Sequence, residues 1–135
     1  MNKMIYVIFI VIVVVLGAIL LSRMDQNVDN KAVIKHVSMD DIVEIMDKNN
    51  DYIILDVRTI DEYKSGHIPS AICIPNEAIG SDIASVLPDK DQLILVYCRS
   101  GNRSKQAVEK LKDLGYTNLI VFGGIVDWKG KIVKE

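Results

Sequence analysis

The stretch 93-LILVYCRSGNRSKQAVEKLKDLG-115 decides how this chain folds. Its first five residues, LILVY (93–97), form a continuous apolar run of the kind found in strands buried on both faces. A loop of polar and small residues, Cys98 to Ser104, follows at once. Ala107, Val108, Leu111 and Leu114 then recur at helical spacing, and Gly115 stands where a C′ glycine ends a helix. Strand, tight loop and amphipathic helix together make the repeating half of an α/β fold.

The same reading extends outward. YIILDV (52–57) is a second buried strand, and IKHV (34–37), AICI (71–74) and LIVF (119–122) are shorter ones. Ser38 caps a helix carrying Ile42, Ile45 and Met46 on one side, with NND (49–51) ending it. Thr59 and Glu62 form a capping box for a short helix that stops at Ser65-Gly66. A weaker helix is expected over 79–87, before Pro88, and GGIVDWKG (123–130) opens a terminal turn. Strands alternating with helices predict a mainly parallel sheet covered on both faces. Ligands in such sheets bind beyond the carboxyl ends of the strands, here at Asp56 and Arg58 and at Cys98.

The amino-terminal run Met4–Leu21 contains no charge and no proline. As a helix it would extend about 27 Å, close to the apolar thickness of a bilayer. It exceeds a usual signal-peptide core, and no A-x-A site follows it, so an uncleaved transmembrane anchor is expected. The expected organisation is an anchor over 4–21, a polar tether over 22–33 and one α/β domain over 34–135. Lysine and arginine counts flank the run without fixing its direction. The short tail before it resembles a signal anchor, which predicts a single-pass membrane protein with an extracytoplasmic domain.

Beyond residue 23, fourteen basic residues face eighteen acidic ones, a net of −4. That balance does not support nucleic-acid binding, which needs a concentrated positive surface. The two cysteines, Cys73 and Cys98, are too few for a disulfide scaffold and lack metal-ligand spacing, so no metal or other cofactor is expected.

Cys98 carries the chemistry. A thiol between a buried strand and a helix meets inward-pointing N–H groups of a glycine turn and the positive end of the helix. Arg99 and Arg103 add two full charges. All three effects favour thiolate over thiol. A cysteine among arginine, serine, glycine and asparagine is not expected to be a core residue.

YCRSGNRS (97–104) resembles the active-site loop of rhodanese-type sulfurtransferases. LDVRTIDEYKSGHIPSAICIP (55–75) resembles that family's Asp-x-Arg, Glu-Tyr and Gly-His-Ile-Pro-x-Ala stretch, and Leu114-Gly115-Tyr116 its helix end. GGIVDW (123–128) resembles its closing Gly-Gly-x-x-x-Trp. The resemblance implies a five-stranded, mainly parallel sheet flanked by helices, with Cys98 forming a persulfide in a ping-pong cycle. The partners implied are a small sulfur donor such as thiosulfate and a thiol or cyanide acceptor. Arg99, Ser100, Gly101, Asn102 and Arg103 would cradle the substrate, with Arg103 the side chain most expected to contact an anion. Asp56 and Arg58 would hold loops near the site. His67 reads as a satisfied loop histidine, His36 as a strand residue and Trp128 as packing. Cys73 reads as a buried strand thiol that could resolve a persulfide if it lay near Cys98.

Three alternatives stay open. A cysteine-dependent phosphatase or arsenate reductase also sets cysteine before arginine, usually with five residues between them; here four lie between Cys98 and Arg103. A membrane-tethered binding module would keep the fold without the chemistry. A sulfur carrier would make the persulfide and pass it to a protein.

Overall fold

A computed structural model of the chain describes residues 2–24 and 31–135. Two compact units are present, residues 1–31 and 32–135. Most of the expected tether, residues 25–30, lies outside the described residues.

In the first unit, helix α1 (Asn2–Met24) includes the expected apolar run. Residues 2–21 are long and apolar enough to cross a membrane, a test that a signal sequence also passes.

The second unit begins with β1 (Val33–His36) and α2 (Met39–Lys48). It continues through β2 (Ile53–Asp56), α3 (Ile60–Ser65) and the two-residue β3 (Ile72–Cys73). Strand β4 (Ile94–Cys98), α4 (Asn102–Asp113) and β5 (Asn118–Gly124) complete it. The five strands form one sheet in the order β1-β5-β4-β2-β3, and every neighbouring pair is parallel. The five-stranded parallel α/β architecture is therefore the one expected. Strand β4 lies at its centre, which explains why 93–97 is apolar throughout.

Local chemistry sets the element ends. Ser38 and Thr59 each close a capping box, with Asp41 and Glu62 as the reciprocal acids. The expected helix over 79–87 is instead a short 3₁₀ turn at Ser81–Ser85. Gly80 before it and Pro88 after it bound the segment, and no side chain caps its start, whereas Thr59 caps the comparably short α3. Another 3₁₀ turn, Ile125–Asp127, follows β5.

Side chains alternate along β4 and divide the core in two. Ile94, Val96 and Cys98 pack with Ala107, Val108 and Leu111 of α4. Leu95 and Tyr97 point to the opposite face, with Ile42 of α2, Ile68 and Phe122. Trp128 packs on this second cluster, its ring tilted against Phe122.

Candidate active site

The strand-end loops after β2 and β4 sit side by side, because Asp56 pairs with Tyr97 in the sheet register. Beneath them lies a buried network. Arg58 Nε donates to both oxygens of Asp56 at 3.0 and 3.1 Å, and Nη2 donates to Asp56 Oδ2 at 2.6 Å. Nη2 also donates to the Gly66 carbonyl at 2.7 Å, and Tyr97 donates its hydroxyl to Asp56 Oδ2 at 2.7 Å. Burial would lower the Arg58 pKa, but the hydrogen bond and charge of Asp56 outweigh it and raise it. Burial and the Asp56 hydrogen bond push the Tyr97 hydroxyl up. These three groups form a fixed strut that closes the loop between β2 and β3. Their hydrogen bonds run among themselves and to the loop backbone.

Cys98 is the last residue of β4 and only 1% exposed. The expectation that it stands outside the core is corrected: it packs in the α4-side cluster. The loop folds hydrogen-bond donors over the buried sulfur. Gly101 N–H donates to Sγ at 3.0 Å, and Ser104 Oγ lies 3.5 Å from Sγ. Gly101 is the N-cap of α4 at φ +112°, and it has no side chain to cap the helix. The Cys98 sulfur occupies that role, meeting the Ser104 N–H of the first turn together with those of Gly101 and Ser100.

Burial alone would raise the Cys98 pKa. Hydrogen bonds from the Ser104 hydroxyl and from the Ser104, Gly101 and Ser100 N–H groups outweigh it and hold the thiol below its ordinary value. The leading stabilisers are thus hydrogen bonds, including the loop N–H groups anticipated from sequence, and the arginine charges are not among the leading causes. Ser104 Oγ donates to the Gly101 carbonyl at 2.9 Å and has one proton to give. It accepts from the thiol, and it can turn that proton toward the thiolate.

Arg99, Ser100 and Asn102 are exposed, whereas Gly101 is buried. Arg103 is half-buried, and both terminal nitrogens of its guanidinium engage Glu62, at 2.7 and 3.0 Å. That contact raises Arg103 and lowers the Glu62 carboxyl to about 2. The expected anion-binding arginine therefore has a carboxylate partner in this structure.

Two contributors were not singled out from sequence. Ser104 is fully buried, and its place in the first turn of α4 follows only once the helix start is fixed. Gly124 supports the loop from below. A Cβ there would lie 1.9 Å from the Arg99 carbonyl oxygen and 2.5 Å from the Ser100 nitrogen, so the backbones touch directly. Repetition of glycine in GGIVDW was the available signal.

The remaining expectations are resolved by position. His67 is buried, with Nδ1 2.8 Å from the Tyr63 carbonyl and its ring stacked on Tyr63. His36 is exposed at the end of β1. Cys73 ends β3, which pairs with β2 and not with β4. Two strand spacings, about 9.6 Å, separate it from β4. It is in register with Asp56 and Tyr97, on the face opposite Cys98. That separation is too wide for a disulfide and removes the resolving role considered for Cys73.

Comparison with known proteins agrees with this geometry. The family model for the rhodanese-like domain matches residues 38–131. The thiosulfate sulfurtransferase PspE of Escherichia coli is 40% identical over 73 residues, covering 54% of this chain and 70% of the relative. The putative sulfur carrier protein YrkF of Bacillus subtilis is 34% identical over 104 residues, covering 76% of this chain; the chain spans only 55% of that relative. The solved structure of a rhodanese with anions from E. coli is similar at TM-score 0.58 and 37% identity, covering 62% of this chain and 99% of that one. With the family model matching more than half of its length, the chain belongs to the rhodanese-like domain family.

Proposed function

We propose that the domain is a sulfurtransferase that carries sulfane sulfur on Cys98. The Cys98 thiolate attacks the outer sulfur of thiosulfate, the S–S bond breaks, and its electron pair leaves with sulfite. Cys98 retains the sulfur as a persulfide. A thiol or cyanide then attacks that outer sulfur and regenerates the thiolate. Splitting the transfer into two displacements is ordinary covalent catalysis, and a thiolate already formed needs no general base. The loop 99–103 cradles the anion through its N–H groups, with Arg99, Ser100 and Asn102 at the solvent side and Gly101 forming the turn.

The observation that carries this reading is the Gly101 N–H on Cys98 Sγ at 3.0 Å, at the start of α4. It supplies a stabilised thiolate at the end of the central strand. The named activity of PspE supports the same chemistry. A carrier role is favoured by the likeness to YrkF, and would show as rapid loading with slow discharge to cyanide. The test is intact mass of the full chain in detergent after incubation with thiosulfate. A gain of one sulfur, absent in Cys98→Ser and reversed by cyanide, is expected. No gain with any sulfur donor would defeat the proposal.

The first unit fits the same picture. We read 4–21 as a retained single-pass anchor, 22–33 as tether and 34–135 as the catalytic domain outside the cytoplasm. The length and composition of α1 support a span. Protease added to intact cells would then remove the domain; full protection would place it inside.

A further inference from the structure

Glu62 has no part in the chemistry described above, yet it holds a charge beside the site. Its carboxylate takes both ends of the Arg103 fork, at 2.7 and 3.0 Å. The same group is fixed by its own helix, since Oε1 also accepts from Thr59 N at 3.4 Å and Thr59 Oγ1 at 3.1 Å. The pair therefore ties the first turn of α3, beyond β2, to the first turn of α4, beyond Cys98. Arg103 also feels the charges of Cys98 and Glu77. Glu62 holds the guanidinium by direct contact while Glu77 adds a weaker negative field, and exposed Arg99 is the loop's other cation.

On the reading that the domain is a sulfurtransferase, we propose that Glu62 is a specificity-determining residue. By holding Arg103, it shifts donor preference away from thiosulfate and toward an alkyl persulfide that reacts in its protonated, neutral form. The two reactions differ in the charge they bring together. Thiolate and thiosulfate together carry three negative charges, which reappear on the Cys98 persulfide anion and sulfite. With a persulfide R–S–S–H, the Cys98 thiolate attacks the outer sulfur and the S–S bond breaks. Its electron pair leaves as R–S⁻, while the outer sulfur and its proton stay on Cys98. That reaction carries one negative charge throughout. A rim whose arginine is committed to Glu62 lacks the countercharge that the first reaction needs. The second reaction does not need it.

The experiment measures steady-state transfer to cyanide by the full chain in detergent, with thiosulfate and with isopropyl hydropersulfide as donors. Glu62→Gln suits the test because glutamine keeps the N3 place of a capping box while removing the charge. The variant is expected to lower KM for thiosulfate roughly three- to tenfold, an electrostatic gain on a freed arginine. Its kcat and its KM for the hydropersulfide should stay as they were. Adding Arg103→Gln should cancel the gain, which a merely structural tie between α3 and α4 would not do. An unchanged or raised thiosulfate KM in Glu62→Gln overturns the proposal, as does an equal gain with both donors. Failure of the unaltered chain to take sulfur from either donor would instead sink the sulfurtransferase reading, and this inference with it.

Discussion

Cys98 and Cys73 occupy equivalent places, each the last residue of a parallel strand in the same sheet, and their chemistry is opposite. Cys98 is followed by a glycine turn whose N–H groups return to the sulfur, and its pKa falls. Cys73 is followed by Ile74, whose N–H is spent on the Asp56 carbonyl, and by Pro75, which has none. Among the described residues its Sγ finds only the Arg58 carbonyl, at 3.6 Å. Burial, and then the negative charge of Asp56, push it up to about 11. A strand end does not make a nucleophile. The donors supplied by the next few residues do, and sequence order decides whether they exist.

That contrast can be broken in three graded ways. Gly124→Ala should have the largest effect, because its methyl group would enter the Arg99–Ser100 backbone. Overpacking of this kind costs about 1–3 kcal/mol, read from the urea midpoint. Displacing the loop by an ångström would cut turnover about a hundredfold. Wild-type activity in that variant would show that the loop does not depend on its glycine floor. Ser104→Ala is milder. It removes the hydroxyl that favours the thiolate, so the acidic limb of the kcat/KM profile should move to higher pH. Loss of roughly three- to tenfold is expected below that limb, with recovery above it. A uniform loss across pH would mean that Ser104 supports the fold alone. Cys73→Ser should change thiosulfate turnover by less than about twofold, as expected of a substitution off the reacting face. A large loss there would restore a catalytic role that the sheet register excludes.

Much of this was legible in the sequence because it is local. The apolar runs gave all five strands, and the pairs Ser38/Asp41 and Thr59/Glu62 lie within one helical turn. The buried run 93–97 predicted a strand covered on both faces, and the sheet order makes it the central one. What escaped the reading is long-range. Arg103 and Glu62 are 41 residues apart, so neither reveals the other until β2 and β4 are paired. Gly124 meets Arg99 only after β5 lies beside β4. The burial of Cys98 was missed for a related reason, since polar neighbours along the chain need not be neighbours around the sulfur.

The Gly124 contact also bears on how such a loop could be diversified. Its nearest approaches are to the backbone of residues 99 and 100, while Arg99, Ser100 and Asn102 are exposed. The sulfur's hydrogen-bond donors are main-chain groups and Ser104, none of which depends on the identity of those three side chains. A library randomised at 99, 100 and 102 should therefore return mostly folded, sulfur-competent variants that differ in what they accept. On the proposed function, donor choice would be a replaceable fitting on a fixed backbone mount.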